Sequence, residues 1–160
     1  MSRLAGVGAA LLRSRRFVRA PIWLYRLRLG ALLGPRLLLL EHRGRRSGRA
    51  RHVVLEVIGH PSPRRYVVAS GFGERAQWFR NIQADPRVRV TIGSHAPAPA
   101  TARVLAQREA DRVLGDYIAA HPGTWARFKA VLERTLGAEV TEVDTPLPIV
   151  ELHLDAAHRS

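Results

Sequence analysis

Residues 36–58 read RLLLLEHRGRRSGRARHVVLEVI. The stretch has an apolar run at 36–41, a basic turn GRRSGR at 44–49, and a second apolar run at 52–58. Two short runs rich in branched residues, joined by a loop that contains glycine, read as a β-hairpin. Both faces of the second run are apolar apart from Glu56, so this strand is expected to be covered on both sides. A buried Glu56 then needs a partner or a role.

Working outward toward the C-terminus, HPSP at 60–63 is a turn and YVVAS at 66–70 a third strand. Gly71, Phe72 and Gly73 lead to a short helix over about 76–84, which Asp85 and Pro86 end. VRVTI at 88–92 alternates as a half-buried strand does, residues 93–99 with their two prolines form a turn, and 101–105 is a fifth strand. Val113, Leu114, Tyr117 and Ile118 fall at helical spacing within 108–120. His121, Pro122 and Gly123 break that helix, Thr124 caps another to about 136, and PIVELHL at 148–154 is the last strand. About six strands with few crossover helices between them indicate an α+β protein, an antiparallel sheet or small barrel with helices packed on it.

Toward the N-terminus, the uncharged stretch at 4–12 precedes Arg13, Arg15 and Arg16. That is the reverse of the order in an export signal, so cytoplasmic residence is expected. Residues 17–33 mix Ile22, Trp23, Leu24 and Leu27 with Arg19, Arg26 and Arg28, and no run reaches the ~18 apolar residues of a spanning helix. Two readings stay open for this amphipathic helix: packing on the domain, from Pro21 to the Gly34–Pro35 stop, or lying on the anionic inner face of a membrane. The chain thus divides into a basic helical segment at 1–35 and one domain at 36–156.

The 160 residues are 46% hydrophobic and 24% charged, a globular composition, and they include no Cys. That excludes disulfides, thiolate metal sites and a cysteine nucleophile. The net charge of +13 is lopsided: residues 1–52 hold 13 Arg against Glu41, for +12, while the remainder holds 13 basic residues against 12 acids, for +1. Such an excess calls for an anionic partner: nucleic acid, a membrane surface or a phosphorylated small molecule. Arg43, Arg45, Arg46, Arg49 and Arg51 crowd nine residues around the turn. Their forked donors, free backbone N–H groups and the Ser47 hydroxyl suit a phosphate or several carboxylates; the alternative is a solvated basic turn. Stacking aromatics are missing from it, so nucleic acid is not expected. None of the seven His forms a metal-binding pair, and nucleophile elbow, Walker A and Rossmann glycine patterns are all lacking.

The segments LLLLEHRGRRSGRARHVVLEV (37–57), YVVASGFGERAQWFRNIQADPRVRV (66–90), ATARVL (100–105), EADRVLGDYIAAHPGTWARF (109–128) and PIVEL (148–152) occur in an order and spacing that resembles the deazaflavin-dependent nitroreductase and quinone reductase family. Members of that family use reduced coenzyme F420. The resemblance implies a split β-barrel, like that of flavin-nucleotide-binding proteins, with the deazaflavin in a groove. It implies that Arg46 and Arg51, with Arg45, Ser47 and Gly48 beside them, hold the cofactor's phosphate and acidic tail. It also implies that Ser70 lies near the reactive ring and that Trp78 and Asn81 lie against the cofactor.

The implied activity is hydride transfer to a small quinone-like or other activated acceptor, by a monomer or homodimer. Ser70 would polarise the acceptor, with Tyr66 and Glu56 as proton sources. Val54 stands where many relatives carry Pro, and Glu56 replaces an aromatic residue, so nitroimidazole reduction is not implied. Two competing readings are a non-catalytic basic module for nucleic acid or membrane, and the same fold holding flavin mononucleotide or haem.

Overall fold

A computed structural model describes residues 37–156. The helix expected at 17–33, its membrane contact and the division at residue 35 lie outside the described residues. Among the described residues, six strands are present: β1 (Leu37–Arg43), β2 (Ala50–Ser62), β3 (Arg65–Ala69), β4 (Arg87–Ile92), β5 (Ala98–Val104) and β6 (Ile149–Leu154). They close into a barrel in the order β1-β2-β3-β6-β5-β4, with every neighbouring pair antiparallel. The helices are α1 (Gln77–Ala84), between β3 and β4, and α2 (Gln107–Ala120) and α3 (Pro122–Leu136), between β5 and β6.

The two-residue period of a strand divides the apolar residues between two cores. Leu38 and Leu40 of β1 face the barrel interior with Val68, Val90, Val150 and Leu152. The α1 helix packs Trp78, Phe79 and Ile82 into the same interior while Gln77, Arg80 and Gln83 stay exposed. Each fully buried side chain of this kind contributes about 1.5–3 kcal/mol, so this helix owes its place to packing more than to its own propensity. Val67 and Ile149 point outward instead, and they pack with Leu105, Ala110 and Leu114 under the α2 helix.

Several boundaries differ from those expected. The turn expected at HPSP falls later, at Pro63 and Arg64: β2 runs on to Ser62, and register shifts at Gly59 and before Ser62 absorb Pro61 in the strand. A Cβ at Gly59 would lie 3.3 Å from the Cβ of Val67, so glycine permits the close approach of β3. β5 begins at Ala98, with Pro99 paired opposite Arg89. Thr124 does not cap α3; the helix starts at Pro122, where a missing N–H leaves no donor unsatisfied. Residues 52–59 of β2 are half-buried, so that strand is less covered than its composition indicates.

Candidate functional site

The turn between β1 and β2 is tightly specified. Gly44 N–H donates to the Arg49 carbonyl at 2.8 Å, and Gly48 N–H to the Gly44 carbonyl at 2.8 Å. Gly48 has φ +69°, a left-handed conformation glycine adopts without strain. A Cβ on Gly44 would fall 2.6 Å from Ser47 Oγ, which itself accepts from Arg49 N–H at 3.2 Å. Ser47 is therefore a builder of the turn as well as an exposed hydroxyl.

The α1 helix fixes the turn to the barrel through Asn81, which is 4% exposed. Asn81 Oδ1 accepts from Arg45 N–H at 3.1 Å and from Arg45 Nη1 at 2.9 Å. Its amide nitrogen then faces Nδ1 of His42 at 3.0 Å. An amide nitrogen donates, so Nδ1 is the acceptor and His42 is neutral with its proton on Nε2. Burial of His42 holds its pKa down at about 4 from the usual 6.5, with His52 and Arg51 nearby adding to the effect.

Charge is concentrated on this end of the barrel. Among the described residues, none of Arg43, Arg46, Arg49, Arg51 or Arg89 lies in an ion pair. Guanidinium groups clustered this closely without carboxylates repel one another and favour an anion between them. Beside the turn is an open cleft of about 350 Å³, lined by Glu41, His42, Arg43, Gly48, Arg87 and Arg89 among others.

The remaining predicted residues separate into two groups. Ser70, Trp78 and Asn81 are 0%, 7% and 4% exposed. Ser70 Oγ donates to the Gly73 carbonyl at 2.7 Å, shaping the turn after β3, and Trp78 is a core residue edge-on to Phe79. Glu56 and Tyr66 lie away from the basic turn. Glu56 pairs in register with Leu37, at the opposite end of β1 from Arg43, a separation of about 20 Å along an extended strand. Glu56 is half-buried, and Tyr117 of α2 is a partner for it, its hydroxyl donating to Glu56 Oε1 at 3.1 Å. Tyr66 stacks on His60 with ring centroids 4.1 Å apart.

His42, Tyr117, Arg87 and Arg89 were not singled out from sequence. The alternation Leu38, Leu40, His42 was the one local signal, since it puts His42 on the inward face. Tyr117 meets Glu56 across 61 residues of chain, and Arg89 meets Glu41 across the β1–β4 pairing; neither leaves a local pattern.

Comparison with protein families matches residues 18–146 to the F420H(2)-dependent quinone reductase. The chain belongs to this family. It is therefore an F420-dependent oxidoreductase, and coenzyme F420 is its cofactor. No curated protein matches the chain.

Solved structures resemble this F420-dependent oxidoreductase in fold. An F420-H2 dependent reductase, FDR-A, is 22% identical with a TM-score of 0.51, covering 74% of this chain and 94% of its own. A protein described as a domain-swapped dimer has the same identity and TM-score, over 74% of this chain and 80% of its own. HutZ, the heme storage protein from Vibrio cholerae, is 14% identical with a TM-score of 0.51, over 78% of this chain and 85% of its own. The expected α+β split barrel is thus found, closed by six antiparallel strands. Among the described residues no helix is long and apolar enough to cross a membrane.

Proposed function

We propose that this oxidoreductase transfers a hydride from reduced coenzyme F420 to a quinone-like acceptor, and that Arg46, Ser47, Gly48 and Arg51 hold the cofactor's phosphate and acidic end. The observation that carries the reading is the set of guanidinium groups without carboxylate partners on a turn of fixed shape. A phosphodiester bearing glutamates is a polyanion, and such a turn matches it in charge and in donor geometry. When bound, the deazaflavin supplies the hydride, so the protein needs no catalytic triad.

The chain's own residues bind and orient. Arg46 and Arg51, both exposed, offer charge-assisted donors. Arg45 is engaged with Asn81 and keeps the turn in position. Of the two expected proton sources, Glu56 is half-buried and accepts from Tyr117 O–H at its Oε1, which makes Tyr117 the proton-bearing member of that pair. The pair holds one proton at Tyr117 Oη, and Tyr66 is the other expected source. Ser70 contributes by shaping the loop after β3. The domain-swapped relative favours a homodimer, which light scattering on the purified protein tests.

The deciding experiment titrates the purified protein in parallel with F420, flavin mononucleotide and haem. The expected result is micromolar or tighter affinity for F420 alone. Arg46→Ala and Arg51→Ala should each weaken it by about tenfold or more, since hydrogen bonds to charged groups contribute about 1.5–3 kcal/mol. Unchanged affinity in the double variant refutes the assignment. Tighter binding of haem or flavin mononucleotide refutes the cofactor reading.

A further inference from the structure

We propose that His42 and Asn81 are positioning residues that form an acid-sensitive latch on the cofactor-binding turn: a neutral imidazole lets the Asn81 amide hold Arg45, and a protonated one turns the amide over and lets Arg45 go. The consequence for the cofactor rests on the reading above; the latch itself is a property of these three residues. His42 is the last inward-facing residue of β1 before the turn, with Arg51 of β2 as its register partner. Asn81 of α1 bridges from it to the turn: Oδ1 accepts from Arg45 N–H at 3.1 Å and from Arg45 Nη1 at 2.9 Å, and the amide nitrogen meets His42 Nδ1 at 3.0 Å. Among the described residues, the two Arg45 bonds are those that fasten the turn to α1; the others, Gly44 to Arg49, Gly48 to Gly44 and Arg49 to Ser47, stay within it.

An amide carries its acceptor at one end and its donors at the other, so this chain of contacts has two settings. Once protonated, His42 is a donor at Nδ1 as well as at Nε2, and it then faces the amide N–H groups of Asn81. A half-turn of that amide offers Oδ1 to the imidazolium but sets N–H groups against both Arg45 donors. One contact is kept and the other is lost. His42 and Asn81 are both buried, and a donor left unpaired there is costly, so the choice between the two settings is sharp.

Charge around the imidazole sets the pH of the change. Burial, then His52 and Arg51 of β2, hold the His42 pKa at about 4 against the usual 6.5 while the turn is held. Arg43, Arg87 and Arg89 line the same cleft as His42 and add positive charge, and Glu41, the acid of that lining, is drawn to His52 at 3.5 Å. The cleft is open, which gives solvent protons a route to the ring. On release the imidazolium gains an acceptor, and its pKa returns toward 6.5. Linkage then lowers the ratio of held to released turn, relative to pH 7.5, by up to about fourfold at pH 6 and about thirtyfold at pH 5. A positive charge acting at long range would instead tighten the hold on a polyanion, so loosening on acidification is the mark of the latch.

The test follows amide hydrogen exchange by NMR in the full chain, wild type and His42→Gln, at pH 7.5, 6 and 5, with rates corrected for their intrinsic pH dependence. Glutamine offers Asn81 an acceptor that does not titrate. In the wild type the Arg45 amide should lose protection about fourfold by pH 6 and up to about thirtyfold by pH 5, while the slowest amides of β1 and β4 stay better protected. In His42→Gln the change should be under about twofold. Arg45 protection that stays flat in the wild type, falls equally in His42→Gln, or falls only to the level of the strand amides, as in global unfolding, overturns the proposal. Asn81→Asp supplies a second acceptor that serves Arg45 and an imidazolium together, and it decides the matter should His42→Gln fail to fold. It should keep the Arg45 amide protected at pH 5; a loss as large as in the wild type overturns the latch. Saturating F420 should restore the protection of the wild-type Arg45 amide at pH 5, because binding draws the turn to its held state. If the latch titrates as stated and F420 leaves it unchanged, the assignment of the turn to the cofactor fails and the latch stands.

Discussion

Acidification should unfold this protein through His42, and the structure sets both sign and size. The imidazole is buried, its Nδ1 accepts from Asn81, and Arg51 and His52 stand near it, so folding keeps it neutral. Protonation would turn Nδ1 into a donor facing a donor. The folded pKa of about 4 lies below the unfolded value of 6.5. Between those values the unfolded chain binds the extra proton and the folded one does not, so stability falls as pH falls. The contribution is intact above pH 6.5 and is lost progressively toward pH 4. The gap between 6.5 and about 4 translates to about 2 kcal/mol lost at pH 5 and about 3 kcal/mol at pH 4. The assay is urea denaturation of wild type and His42→Gln at intervals from pH 7.5 to 4.5. Taking the difference between the two curves removes the carboxylates, which titrate alike in both. A difference that stays flat across this window, or that favours wild type increasingly as pH falls, refutes the placement of a neutral His42 against Asn81.

Further outcomes follow from the same contacts. Asn81→Ala removes the acceptor of two Arg45 bonds and the donor to His42, and should destabilise the fold by about 2–4 kcal/mol in urea titrations; a loss under 1 kcal/mol contradicts the role given to Asn81. Gly44→Ala drives a methyl to 2.6 Å from Ser47 Oγ. It should weaken F420 binding severalfold while thermal stability changes little, because the turn is exposed; equal affinity would show that turn shape does not matter. Tyr117→Phe should lower the rate of quinone reduction by about a hundredfold if its hydroxyl delivers a proton, with F420 affinity retained. Parallel losses of rate and affinity would mark Tyr117 as a packing residue only.

The hairpin at 36–58, the six strands and the arginine-rich turn were legible because each leaves a local mark: an apolar run, a two-residue period, or glycines where the backbone needs them. Gly48 is a clear instance, since its positive φ is a property of the turn alone. At HPSP only the boundary differed: Pro63 turns with Arg64, whereas Pro61 stays in β2 at a register shift, where the missing N–H has no partner to lose. The inward placement of Trp78, Asn81 and Ser70 was not legible in the sequence. Packing of α1 draws Trp78 and Asn81 inward, and the loop after β3 draws in Ser70; Asn81 and Ser70 then shape neighbouring turns while Trp78 fills the core.

By itself, the sequence determined the antiparallel α+β class, the charge at one hairpin and its suitability for a polyanion, since these depend on neighbours along the chain. Closure of the barrel alone decided that His42 loses its charge against Asn81, that Tyr117 reaches Glu56, and that Arg87 and Arg89 complete a cleft with Arg43. Those partners are 39, 61 and roughly 45 residues apart, and only burial and strand register bring such distant groups within reach of a hydrogen bond or a shared anion.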